Sequence, residues 1–205
     1  MTVRLHRGDL PNLNSYSGSV AIDTETMGLD PNRDRLCVVQ LSPGDGSADV
    51  VQITAGQKDA PNLKRLLADP AVLKIFHFAR FDLGSLFKAF DVMPMPIYCT
   101  KIASRLARTY TDKHGLKDLA REALGIDLSK QQQLTDWGAA ELTDAQIAYA
   151  ATDVLHLNAL KEKLDAILVR ERRSDLAQAC FRFLPDRVRL DLSGWAEQDI
   201  FSHSS

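Results

Sequence analysis

Three consecutive segments in the first half of the chain constrain the fold more than any other feature. Asn62 to Ala68 (NLKRLLA) has helical spacing, Val72 to Phe78 (VLKIFHF) is a mostly apolar segment of strand length, and Leu83 to Phe90 (LGSLFKAF) returns to helical spacing. A strand buried on both faces and bracketed by helices is what parallel pairing inside an α/β layer requires. Upstream, Ser19 to Asp23 and the β-branched-rich Leu36 to Leu41 read as two strands joined across the turn cluster Asp30–Asp34, so a hairpin is predicted there. Asp49 to Ile53 supplies a third strand, and Ile97 to Cys99 a short later one. Beyond it the sequence is mostly helical. One helix starts at the Thr143/Gln146 capping box and is predicted to run to about Arg170; another follows Ser174, with a Pro185-interrupted tail behind it. The expectation is an α/β fold, with a mixed sheet first and a helical half second.

Composition limits the class. With 205 residues, 45% of them hydrophobic and 25% charged, one well-buried domain spanning residues 1–205 is expected, without extended disorder. No apolar stretch reaches the roughly 18 residues that span a bilayer, and the opening MTVRLHRGDL lacks the apolar core of a signal peptide, so a cytoplasmic protein is expected. Cys37, Cys99 and Cys180 are far apart and form no CxxC or Cys/His cluster, which argues against a disulfide framework and a zinc site. A net charge of −2 argues against a long-duplex binder but not against short nucleic acids, because bound divalent ions can supply the positive field that phosphate needs.

The acids are placed where acids are expensive. Asp23 follows the apolar Val20-Ala21-Ile22, and on an extended backbone Glu25 points to the same face, a geometry suited to a divalent metal; for an isolated Asp-x-Glu, a turn cap is the commoner explanation. Asp82 follows the 72–78 strand, where a helix N-cap would also account for it. Two strands ending in acids at the edge where α/β folds bind ligands favour a site. Tyr149 and Asp153, four residues apart, share one helix face among small residues, and an acid there needs a salt bridge or a metal.

Together these motifs resemble the DEDD exonuclease superfamily in its tyrosine-bearing branch: DTET at 23–26, HFARFD at 77–82 and YAATD at 149–153. Within it the chain is most similar to ribonuclease D, through the further segments His114-Gly115-Leu116-Lys117-Asp118-Leu119, Leu124-Gly125-Ile126 and Thr135-Asp136-Trp137. The likeness covers roughly residues 15–170. The helical domains that follow the catalytic one in ribonuclease D do not fit in the remaining length, and in size the chain resembles the nano-RNase C group, which degrades very short RNAs. At 97–100, Ile-Tyr-Cys-Thr replaces the Asp-Thr often found there in ribonuclease D, so Cys99 is read as core.

The resemblance implies a ribonuclease H-like mixed sheet flanked by helices, and a catalytic set of Asp23, Glu25, Asp82, Tyr149 and Asp153. The four acids would hold two Mg²⁺ or Mn²⁺ ions, and Tyr149 would orient the attacking water. It further implies 3′→5′ hydrolysis of short single-stranded RNA, dinucleotides included and DNA not excluded, to nucleoside 5′-monophosphates. A homo-oligomer, as a ring-like octamer, is also implied; the apolar residues of the 171–205 tail, among them Phe181, Phe183, Trp195 and Phe201, could form its interface. Met27 and Leu29 either wedge beside the terminal bases or belong to the core, and His77 and Phe81 face the same choice. Thr26 and Gln133 complete the candidate substrate contacts; Gln133 lies in the polar loop Lys130–Gln133, which otherwise is simply solvated. Arg170, Arg172 and Arg173 close a helix or serve an interface. Three other readings remain: a ribonuclease D-like processing enzyme for longer RNA or DNA, a silent nucleic-acid-binding module, and a phosphohydrolase of small phosphoesters.

Overall fold

The computed structural model describes residues 2–128 and 135–203. Six strands form one mixed sheet: β1 (Thr2–Arg7), β2 (Ser19–Thr26), β3 (Leu36–Ser42), β4 (Ser47–Gln52), β5 (Leu73–Phe76) and β6 (Ile97–Cys99), in the order β1-β4-β3-β2-β5-β6. The β2–β3 hairpin is antiparallel and β5 joins β2 in parallel, as the apolar run between two helices predicts. β6 extends the sheet in parallel and β4 pairs antiparallel with β3. The expected third strand is therefore present, shifted two residues early at its start.

β1 was not anticipated. Its alternation of Val3 and Leu5 with Arg4 and His6 is a two-residue period, but the strand becomes an edge only through parallel pairing with β4, forty-odd residues away. Arg4 Nε and Nη2 donate to Asp49 at 2.7 and 3.0 Å, His6 Nε2 lies 2.7 Å from the same carboxylate, and the Tyr16 hydroxyl donates to it at 2.6 Å. These charge-assisted bonds hold Asp49 below the usual carboxylate range, against the upward push of burial.

Helices α1 (Pro61–Ala68), α2 (Ala79–Phe90), α3 (Thr100–Ala107), α4 (Leu116–Leu124), α5 (Asp144–Leu155), α6 (Leu157–Arg170) and α7 (Ser174–Leu190) cover the sheet. Two predicted features are corrected. The single helix expected from Thr143 to Arg170 is two, broken at His156, because α5 lies across β2, β3 and β4 whereas α6 packs on α3 and beneath β5. And α7 continues through Pro185: the ring removes one intrahelical bond, but Phe181, Leu184 and Val188 on the same face are buried in the core. The Thr143/Gln146 capping box forms as predicted. Cys37 and Cys99 are buried thiols and Cys180 is half-buried. No described helix is long and apolar enough to cross a membrane.

Candidate active site

The site is built where β2 leaves the sheet. Ile22 and Thr24 point into the core, so the strand period sends Asp23 and Glu25 to the opposite face. A bulge between Glu25 and Thr26 then turns the chain into the 27–35 loop, which closes through the Met27 N–H donating to the Arg35 carbonyl at 3.0 Å. From the other side, α5 presents Tyr149 and Asp153, one turn apart, with Ala150 and Ala151 small enough to let the helix approach the sheet. One carboxylate oxygen each from Asp23, Glu25 and Asp153 lies within 4.8 Å of the other two.

Asp82 belongs to the same centre through β2. It lies in the first turn of α2, buried, and its Oδ1 accepts from the Thr24 hydroxyl at 2.7 Å. The cap position of α2 belongs instead to Phe78, in left-handed backbone (φ 69°), so Asp82 is not the N-cap considered from sequence.

The electrostatics are those of acids crowded away from water. Burial, followed by the charges of Asp153 and Asp82, pushes Glu25 up to about 8. Asp23 is raised by burial and by all three neighbouring acids, and Asp82 and Asp153 are raised chiefly by burial, with bonds from Thr24 and Tyr149 pulling them back. Four such carboxylates are tolerable only if protonated or bound to cations, and an all-oxygen set fits Mg²⁺ or Mn²⁺ better than zinc. Tyr149 is raised above its ordinary value by burial and by Asp153, Glu25 and Asp23, so its phenol keeps its proton and acts as a donor.

Above the acids opens a cleft of about 580 Å³. Thr26, Met27, Leu29, His77 and Phe81 all line it; Gln133 and the rest of the Lys130–Gln133 loop lie outside the described residues. Leu29 is 86% exposed and Met27 54%, which removes the core reading for both. His77 is held far below its usual value, at about 3, by burial and by Lys101, and its Nδ1 lies 2.9 Å from Thr100 Oγ1, so the ring is neutral.

Several lining residues were not picked out from sequence. Lys101 and Phe78 stand together at the rim, the ammonium 4.0 Å from the ring centroid, and Lys117 joins them from α4. Behind the cleft, Gln40, within the strand read as β-branched-rich and given no role there, donates to Asp23. Lys101 and Gln40 carry no local signal, since each is a lone polar residue whose position is set by sheet order; Lys117 and Trp137 lie in segments that bore the family likeness without an assigned role. Trp137 is buried beside Tyr149, ring centroids 6.1 Å apart.

A family described as 3′–5′ exonuclease matches residues 9–169. Ribonuclease D of Granulibacter bethesdensis is 38% identical over 154 residues, which are 75% of this chain but only 38% of that protein, so the chain spans about two fifths of the length of this curated relative. Two solved structures of Brucella melitensis NrnC match over the whole of both chains: one with bound Mg²⁺ at 60% identity and TM-score 0.96, one bound to pGG at 61% and 0.97.

Proposed function

The chain belongs to the 3′–5′ exonuclease family, and from that premise we propose that it hydrolyses short RNA from the 3′ end to nucleoside 5′-monophosphates. The observation that carries this reading is the convergence of Asp23, Glu25 and Asp153 within 4.8 Å, with Asp82 tied to the same strand through Thr24. Acids crowded this closely, three half-buried and Asp82 buried, repel one another when ionised, and bound cations relieve that repulsion.

In this reading Asp23, Glu25, Asp82 and Asp153 hold Mg²⁺ or Mn²⁺, two per site. When bound, the ions supply charge neutralisation at the phosphate and lower the pKa of water. The protein does the rest. By the family likeness, Asp23 would contribute to holding both ions, Glu25 and Asp153 would help hold the one that supplies the attacking water, and Asp82 would serve the other. Tyr149, kept protonated, donates its hydroxyl hydrogen and accepts from the attacking water, fixing its direction. Met27 and Leu29, exposed on the cleft wall, provide apolar surface for the terminal bases; Thr26, His77 and Phe81 line the remainder, with His77 acting as a neutral hydrogen-bonding group.

Short substrates are favoured on two grounds. A 580 Å³ cleft is of small-ligand size, and a net charge of −2 gives weak long-range attraction for an extended polyanion. The pGG-bound state of NrnC, at 61% identity, supports the same substrate class here. A cytoplasmic location and a homo-oligomer, in ring form an octamer, complete the proposal. The support for assembly is the exposed Trp195, Ile200 and Phe201 of the tail, whereas Phe181 and Leu184 are core.

The test compares specificity constants for two-, seven- and twenty-nucleotide RNAs, with matched DNA and an aryl phosphate, at two salt concentrations and with and without EDTA. Mononucleotide release that needs Mg²⁺ and is fastest per site on the dinucleotide is expected. A long-RNA preference that collapses with salt would overturn the short-substrate reading, and faster aryl phosphate cleavage would overturn the nuclease reading.

A further inference from the structure

The first turn of α2 is held by a clamp from the far end of the chain. Arg80 donates through Nε to Asp191 Oδ2, through Nη2 to Asp191 Oδ1 at 2.8 Å, and again through Nη2 to the Ala196 carbonyl at 2.8 Å. Asp191 is shared with Arg187, whose Nη2 lies 2.8 Å from Oδ1 and also donates to the Ala196 carbonyl at 2.8 Å and the Trp195 carbonyl at 3.1 Å. One carboxylate and one carbonyl are thus gripped by two guanidiniums, a planar fork geometry that fixes orientation as well as distance. Asp191 is only 16% exposed.

This grip falls on the part of the molecule that most needs one. Arg80 is followed by Phe81 and Asp82, both lining the cleft, and stands two residues after Phe78, a bulky residue at φ 69°. A non-glycine residue in left-handed backbone persists only where its surroundings over-determine it. The capping position offers no help, since no side chain caps α2. Behind the turn, a methyl group added at Gly84 would lie 3.3 Å from Pro31 and 3.9 Å from Val188 of α7, so the helix is already seated closely against both. To this seating the Arg80 clamp adds a charge-assisted anchor within the first turn itself.

We infer that Asp191, with Arg80 and Arg187, is a positioning residue for catalysis: the C-terminal segment locks the strained Phe78–Asp82 turn so that Asp82 meets Thr24 and Phe81 faces the cleft. The inference rests on the function proposed above, and it makes the tail part of the reaction machinery as well as a surface. Misplacement of a reacting group by about 1 Å can lower rate on the order of a hundredfold, so a lost clamp should be visible in turnover well before the fold is lost.

The experiment compares the full-length wild type with Asp191→Asn, Asp191→Glu and Arg80→Lys. Asp191→Asn should lower kcat on a dinucleotide by about tenfold or more and raise the Mg²⁺ concentration for half-maximal rate, with KM for the dinucleotide little changed. Asp191→Glu, which keeps the carboxylate, should recover much of the loss; Arg80→Lys, which loses the fork, should not. In metal-free protein, hydrogen exchange at amides 79–83 should quicken in Asp191→Asn, a readout independent of turnover. A wild-type kcat, or unchanged exchange at 79–83, overturns the inference whatever the melting temperature does. If the wild type itself shows no Mg²⁺-dependent hydrolysis, the proposed function fails while the exchange measurement still decides the clamp.

Discussion

Asp23 and Gln40 face each other across the antiparallel β2–β3 pair, and the Gln40 amide Nε2 donates to Asp23 Oδ2 at 2.9 Å. Gln40 is fully buried and Asp23 half-buried, so a donor anchored in the sheet holds the Asp23 carboxylate at the rim of the site.

Replacing Gln40 by Leu keeps the side chain's bulk and removes the donor. A hydrogen bond to a charged group is worth about 1.5–3 kcal/mol, so activation by Mg²⁺ should weaken by about tenfold or more. Titration of activity against Mg²⁺ checks this; an unchanged half-saturation point would show that Asp23 is oriented by the strand alone.

Asp23→Ala and Asp153→Ala should each abolish turnover. In EDTA both variants should melt at the wild-type temperature or slightly above it, because each removes one member of a mutually repelling set. Residual near-normal activity in either would end the assignment of the acid centre.

Tyr149→Phe removes only the hydroxyl. The expected result is a fall in kcat of about a hundredfold with Mg²⁺ dependence nearly unchanged, as befits a group that orients water. Equal losses in rate and metal dependence would reassign Tyr149 to packing beneath Trp137.

Metal-free stability should fall as pH rises from about 4.5 to about 8. The folded-state value of Glu25 is raised from 4.5 to about 8, and Asp23, Asp82 and Asp153 move the same way. In that window the folded chain holds more protons than the unfolded one, so raising pH favours unfolding; above about 8 the Glu25 contribution is flat. Saturating Mg²⁺ should remove most of the slope by binding the ionised form. Chemical denaturation across pH with EDTA or Mg²⁺ measures both, and a rise in metal-free stability through the window would contradict it.

Light scattering should detect an assembly at micromolar concentration, and Trp195→Ser with Phe201→Ser should shift it toward monomer, because those side chains are 43% and 73% exposed. A monomer in the wild type across that range would remove the oligomer from the proposal.

How much of this was written in the sequence follows from the range of each signal. The β2–β3 hairpin and the parallel β5 were legible because turn residues and mostly apolar, strand-length segments act over a few positions, and the α5 cap because Thr143 and Gln146 meet within one turn. The acids stood out as a set through their order along the chain and the family resemblance that order carries, since each motif taken alone had a local structural explanation. Sequence also favoured a cap for Asp82 taken alone and a single helix through His156, since both preferences are local; the fold overruled them by giving the cap to Phe78 and by sending α5 and α6 to different partners. Whether Met27 and Leu29 were wall or core depended on which side of the β2 bulge they emerged, and Gln40, Lys101 and the Arg80–Asp191 clamp acquire meaning only when strands and helices distant in sequence come together. Sequence thus determined the chemistry available, because side-chain type and local period are properties of neighbours. The tertiary structure decided which of those groups meet, because contact between residues 23 and 153, or 80 and 191, is fixed by sheet order and helix packing.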